Sequence, residues 1–179
     1  HKVFICSGRM YGLIDSSLRE IGFDGYVASA GAHVIAAGKT ISRKTIPVDK
    51  LEAAWQVLKQ HKAVFRFKGN DTICVGPEEY ERYMSDELGR RAFAKCPSII
   101  SDDVSMQHDI ESGDYSYADA TVDVIQQEMD MRTDGFFSVI MASFNKATPY
   151  FGEVLIKGVN KGSGIAEIVR YLGVSQADT

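Results

Sequence analysis

Read for apolar and polar positions alone, the chain opens on a continuous apolar run, Val3-Phe4-Ile5-Cys6, the pattern of a strand buried on both faces. Leu13, Ile14, Leu18 and Ile21 then recur at helical spacing, and Tyr26-Val27 begins a second strand. After Gly31, the pairs Val34-Ile35 and Thr40-Ile41 flank Ala36-Ala37-Gly38-Lys39, which has the length and glycine content of a hairpin loop. This alternation predicts an α/β portion over residues 1–44. From about Pro47 the pattern changes. Leu51, Ala54, Trp55 and Leu58 share one face of a predicted helix, with Asp49 as its cap and Glu52 three residues on. Phe65 and Phe67 alternate with Arg66 and Lys68, Gly69-Asn70-Asp71 supplies a turn, and Thr72 to Val75 returns as the second strand of a hairpin. Gly76-Pro77-Glu78-Glu79 reads as a further helix start, followed by Tyr80, Tyr83, Met84 and Leu88.

Residues 101–134 hold ten acidic side chains against one basic, Arg132, while Ala118, Val122, Ile125 and Met129 keep a helical apolar face, so an acidic, solvated helix is expected. Phe136 to Ala142 and Tyr150 to Ile156 are strand candidates, and Ile165, Ile168, Val169 and Leu172 mark a helix ended by Gly173. The expected organisation is an α/β portion over residues 1–44, an α+β insert with its own core over 45–141, and a returning α/β portion over 142–179.

Composition narrows the function classes. With 179 residues, 45% hydrophobic and 25% charged, the chain is long enough for one large or two small cores. A formal net charge of -4 argues against a broad basic surface for nucleic acid and leaves room for a local cationic pocket. No apolar run approaches the roughly 20 residues that span a bilayer, and the first residues lack a signal-peptide pattern. Neither a nucleic acid nor a membrane is an expected partner, and a cytoplasmic location is the default. Cys6, Cys74 and Cys96 have no metal-ligand spacing and lie in or near apolar stretches, which predicts reduced, mostly buried thiols.

The candidate chemistry sits in two turns. At the end of the first strand, Ser7-Gly8-Arg9 offers a hydroxyl donor, a bare backbone that an oxyanion can approach, and a guanidinium able to grip it bidentately. Strand-to-helix turns use such residues for structure as well. Gly158-Val159-Asn160-Lys161-Gly162-Ser163-Gly164 sets a lysine just before an amphipathic helix, where an ammonium can neutralise a bound phosphate; ordinary helix entry is the other reading. It is not a Walker loop, since glycine follows the lysine. Asp109, Glu111 and Asp114 put Gly113 out of register for a calcium loop, so a solvated acidic face is expected there. His1, His33, His61 and His108 show no ligand spacing. Tyr115, Tyr117, Phe65 and Phe67 are assigned to sheet packing ahead of a substrate entrance.

Taken together, Ser7-Gly8-Arg9 at a strand end, Gly25-Tyr26-Val27-Ala28-Ser29-Ala30-Gly31-Ala32, and the late Gly158-Val159-Asn160-Lys161-Gly162 resemble the haloacid dehalogenase superfamily, and within it the Cof-type sugar-phosphatase branch. The resemblance covers essentially the whole chain and implies a partial Rossmann-like core with an inserted α+β cap that sets substrate specificity. It implies that Ser7, with Gly8 and Arg9, binds the transferring phosphoryl group and that Lys161 is the catalytic lysine steadying charge on nucleophile and phosphoryl oxygens. Ala30 stands where that branch usually has asparagine. The activity implied is Mg²⁺-dependent hydrolysis of small phosphorylated metabolites such as sugar phosphates, through an aspartyl-phosphate. The family's Asp-x-Asp pair belongs before Val3, and its magnesium-holding Gly-Asp segment belongs after the residues that end in Ala177-Asp178-Thr179. The chain is therefore expected to be an internal portion of a longer phosphatase, silent by itself, with no metal ligand of its own. The alternative expectation is a non-catalytic phosphate-binding or interaction domain of the same fold.

Overall fold

The structure is a computed structural model that describes residues 1–85, 87–141 and 151–178; the expected strand ends at Ala142 and Tyr150, and Thr179, lie outside them. In the first portion, β1 (Phe4–Cys6) pairs in parallel with β2 (Gly25–Ala28). The connection holds a 3₁₀ turn at Tyr11–Leu13 and α1 (Ser16–Glu20). The single helix expected over Leu13 to Ile21 is thus divided. Asp15 takes extended backbone and its carboxylate accepts the Ser17 N–H at 3.1 Å, which starts a new helix and leaves Leu18 and Ile21 exposed while Ile14 is buried. β3 (His33–Ala36) and β4 (Lys39–Arg43) form the expected hairpin, turning through Ala37 and Gly38 at φ 49° and 72°. The sheet order is β1-β2-β3-β4. Among the described residues β1 pairs only with β2 and is an edge, so the expectation of burial on both faces fails for it. Cys6 is accordingly exposed, whereas Cys74 and Cys96 are buried.

The second sheet is larger. α2 (Val48–Gln60) has Pro47 at its N-cap position, two residues before the expected cap, which leaves Asp49 inside the first turn. β5 (Val64–Lys68) and β6 (Ile73–Val75) make the second hairpin, α3 (Pro77–Met84) and α4 (Glu87–Phe93) follow, and β7 (Ser98–Ile100) adds in parallel to β6. β8 (Ser112–Ser116), α5 (Val122–Thr133), β9 (Phe137–Met141) and β10 (Gly152–Ile156) complete a six-stranded sheet of order β7-β6-β5-β8-β10-β9. α2 and α5 cover one face, burying Trp55, Phe65, Phe67, Tyr115, Met129 and Phe137, with Trp55 edge-on to Phe65 at 4.7 Å between centroids. This assigns Phe65, Phe67 and Tyr115 to packing, while Tyr117 is exposed.

Two strands depart from the sequence reading. Residues 152–156, read as part of the returning α/β portion, hydrogen-bond to β8 and β9 and so belong to the six-stranded sheet. Their apolar pattern fits either sheet, and only pairing decides. Ser112–Ser116, read within an acidic solvated segment, is instead an interior strand between β5 and β10.

α6 (Lys161–Leu172) returns to the four-stranded sheet, where Ile168 joins Val27, Val34 and Ala36, and it ends as expected at Gly173 with φ 66°. Its first turn lies directly against the loop after β2. A Cβ placed on Gly31, whose φ is +108°, would stand 2.1 Å from the Asn160 carbonyl oxygen, and one on Gly164 would stand 3.0 Å from the Gly31 Cα. Both the left-handed backbone and the contact demand glycine at 31. Gly31→Ala should therefore destabilise the fold by at least about 2 kcal/mol, through strain and a forced shift of the helix start. Chemical denaturation followed by the fluorescence of Trp55, the chain's one tryptophan, measures this; an unchanged midpoint would show that the contact is not needed.

Candidate functional site

The parallel pairing of β1 with β2 carries the chain straight into Ser7-Gly8-Arg9, and the Ser7 N–H extends the ladder by donating to the Val27 carbonyl at 2.8 Å. The Arg9 N–H donates to Ser7 Oγ at 3.1 Å, so the hydroxyl proton of Ser7 remains to be donated outward. The loop after β2 braces this turn from behind: the Ser29 N–H donates to the Arg9 carbonyl at 2.8 Å and the Ala30 N–H to the Ser7 carbonyl at 3.1 Å. Ser29 and Ala30 are both left-handed, with φ 48° and 54°. A left-handed position favours asparagine over alanine, which gives a backbone reason for the asparagine that the sequence resemblance leads one to expect at Ala30.

Lys161 is the first residue of α6, whose N-cap Asn160 accepts the Ser163 N–H at 3.0 Å while its own N–H donates to Ser163 Oγ at 2.9 Å. Although Cys6 at the end of β1 is exposed, partial desolvation pushes its thiol up, and the Lys161 charge partly offsets this. Ser7, Gly8 and Arg9 and the Asn160-Lys161-Gly162 turn thus border one cleft of about 930 Å³. Among the described residues the Arg9 and Lys161 side chains make no hydrogen bond or ion pair, and both border the cleft.

The facing wall is the part of the second face of the six-stranded sheet that lies beyond the core Val64, Ile73 and Val75 make with Tyr83 and Phe93. Because β5 alternates, Phe65 and Phe67 point into the core and Arg66 and Lys68 into the cleft, together with Asp114 of β8 and Glu153 and Leu155 of β10. Asp114 stands opposite Arg66 in register; its Oδ1 lies 3.0 Å from Arg66 Nε and its Oδ2 2.9 Å from Lys68 Nζ. Burial alone would raise the Asp114 carboxyl, but the Arg66 and Lys68 charges and hydrogen bonds override it and hold it at about 2. Arg91 and Lys95 border the same cleft near α4 and are paired with Glu87 and Asp15 in exposed ion pairs. The sequence reading missed these wall residues as site residues. The signal lay in the polar positions of the Phe65-Arg66-Phe67-Lys68 alternation, which the apolar pattern had used only to define the strand.

The acidic segment also resolves into separate places. Asp109 is exposed, whereas Glu111 and Asp114 are buried in two different ion groups, so the expected solvated face does not hold for these two. Among the described residues no three His, Cys, Asp or Glu side chains gather as metal donors, and Asp114 is committed to two cations, so these residues do not fit a magnesium site.

The family model of haloacid dehalogenase-like hydrolases matches residues 1–179, and the chain belongs to that family. No curated protein matches it. Among solved structures, the subclass IIB sugar phosphatase BT4131 of that superfamily is 20% identical, with a TM-score of 0.69 over 97% of this chain and 64% of the other. BT1666 from Bacteroides thetaiotaomicron, described among phosphatases of the superfamily, is 16% identical with a TM-score of 0.69, over 97% and 60%. A HAD/Cof-like hydrolase from Plasmodium vivax is 16% identical with a TM-score of 0.71, over 97% and 62%. The chain thus spans under two thirds of the length of these structures, and at such identities they speak for a shared fold.

The depressed Asp114 pKa has a pH signature. A carboxyl lowered on folding contributes stability that is fully present above its unfolded pKa near 3.8 and is lost as pH falls toward its folded value of about 2. Asp114→Asn should be less stable than the parent at neutral pH, and the gap should close between about pH 4 and pH 2. Denaturation midpoints across that range measure it; a gap independent of pH would refute the ion-pair assignment.

Proposed function

We propose that this chain forms the phosphate-holding and leaving-group-reading parts of a phosphate-monoester hydrolase acting on small phosphorylated metabolites such as sugar phosphates. The convergence of Ser7-Gly8-Arg9 and Lys161 on one cleft with a charged sheet face opposite carries this reading. Ser7 Oγ donates to a phosphoryl oxygen, Gly8 admits another to the backbone, and the Arg9 guanidinium grips the group from the side. The Lys161 ammonium, with the positive end of α6 behind it, neutralises charge as it builds on the phosphoryl oxygens. These groups bind and orient the ester; the family pattern assigns bond breaking to an aspartate with Mg²⁺. Lys68 and Asp114 face the alcohol part of the ester, where a donor and an acceptor at fixed spacing select hydroxyl patterns. Family membership and the fold shared with sugar phosphatases support the reading.

In the full-length protein, Lys161→Met should lower kcat/KM for sugar phosphates by about a hundredfold and Ser7→Ala by about tenfold, as loss of a preorganised donor does. Lys68→Met should raise KM for sugar phosphates while leaving p-nitrophenyl phosphate turnover within about threefold. Steady-state phosphate release measures all three. Turnover insensitive to Lys161→Met would sink the proposed role of the cradle, and saturable phosphate binding without any hydrolysis would leave the non-catalytic binding domain as the function.

A further inference from the structure

Glu111 is the most deeply buried carboxylate among the described residues, 1% exposed, and it stands outside the cleft at the entry to β8. Its partners come from the other sheet. Ser29 Oγ donates to Oε2 at 2.6 Å, Arg43 Nε donates to Oε1 at 2.7 Å, and His33 Nδ1 comes within 3.4 Å of the same oxygen. His33 Nδ1 has no hydrogen-bond partner, and its Nε2 meets Thr40 Oγ1 at 2.9 Å. On its own side the Glu111 N–H donates to the Lys68 carbonyl at 2.8 Å, and next to it the Ile46 N–H donates to the Ile110 carbonyl at 2.7 Å. One carboxylate therefore joins the strand wall that carries Lys68 and Asp114 to the loop that braces Ser7 and Arg9.

We propose that Glu111 is a positioning residue that holds the phosphate cradle in shape from the six-stranded sheet. Ser29 is the lever. Its backbone is left-handed, its N–H holds the Arg9 carbonyl, and the next N–H holds the Ser7 carbonyl, so the hydroxyl anchored to Glu111 fixes the strained residue on which both bonds depend. A buried ion pair serving stability alone needs one partner, and Arg43 supplies it. The second oxygen accepts a hydrogen bond from the Ser29 hydroxyl, and at 2.6 Å to a buried carboxylate that bond is a strong, short anchor. The effect on phosphate rests on the function proposed above; the mechanical coupling does not.

The test reads the two separately in the full-length protein. Glutamine keeps the shape of glutamate but has one acceptor oxygen, so Glu111→Gln cannot hold Arg43 and Ser29 as glutamate does. Glu111→Gln should speed hydrogen exchange of the Ser29 and Ala30 amides by at least about tenfold and weaken inorganic phosphate binding, read by calorimetry, by about fivefold. Ser29→Ala, which leaves the Arg43 pair intact, should do the same, and the double variant should add less than about twofold to either single. Ile125→Val, a change in the α5 core, should lower stability without moving either readout. Unchanged exchange at Ser29 and Ala30 in both variants overturns the proposal, as does faster exchange with unaltered phosphate affinity. A parent protein that binds no phosphate removes the functional reading instead, and exchange alone then decides the coupling.

Discussion

Bare backbone against bare backbone is what brings the early and late parts of this chain together. Gly31 has its missing side chain where the Asn160 carbonyl stands, and Gly164 meets Gly31 from the next turn of α6. That approach puts Lys161 at the head of a helix pointing at the end of β1, and it also locks the loop whose amides hold the Ser7 and Arg9 carbonyls. Between the two glycine contacts the chain builds an entire second sheet. Closing so long an excursion costs little extra, about 0.6 kcal/mol per doubling of length, once the two ends have a contact good enough to hold them. The cleft exists because the excursion is folded and part of its sheet's second face lies over the junction.

Charge is handled by pairing across elements that are far apart in sequence. Asp114 sits in an interior strand and would be intolerable alone, yet Arg66 and Lys68 on the neighbouring strand arrive in register to take both of its oxygens. Glu111, three residues earlier on the same stretch, is satisfied from the other sheet. Burial pushes the His33 ring below the usual imidazole range against the pull of the Glu111 charge, which keeps the ring neutral near neutral pH. Ion pairs of this kind do not add much net stability over an apolar core, but removing one partner leaves a buried charge, so they fix which strand lies beside which.

What could be read in the sequence follows from where the information is local. Both hairpins, the Pro77 helix start and the Gly173 stop are written in short-range turn and capping chemistry, and the fold keeps them. The phosphate turn at Ser7-Gly8-Arg9 and the Lys161 turn were visible as residue types, and the fold brings them to one cleft. β8 is illegible in the sequence because its apolar signal is almost nil: Ser112, Gly113, Asp114 and Ser116 are buried or partly so by virtue of partners on β5 and β10. β10 was recognised as a strand and given to the wrong sheet, since strand pattern carries no name of its neighbour. The break at Asp15 is invisible to apolar spacing, which runs on from Leu13 to Ile21, and only the capping side chain marks it.

The same strand pair carries both halves of the proposed site. On β5, Phe65 and Phe67 are held by Trp55 in the core, so Arg66 and Lys68 have rigid stems and only their charged ends face the cleft. Lys68 then does two things at once: its ammonium pairs with Asp114, and its carbonyl accepts the Glu111 N–H. From Glu111 the path to the cradle is two further hydrogen bonds, through Ser29 to the Arg9 carbonyl. On the proposed reading, a leaving group that draws Lys68 away from Asp114 pulls on the backbone that anchors Glu111, and the phosphate turn feels it without a moving lid. Linkage makes such coupling reciprocal: a phosphate that tightens the turn equally favours the arrangement of Lys68 in which the leaving group binds. Selection of the ester would then act on the whole molecule held at both ends, and the binding free energies of a phosphate fragment and an alcohol fragment would together fall short of that of the intact ester.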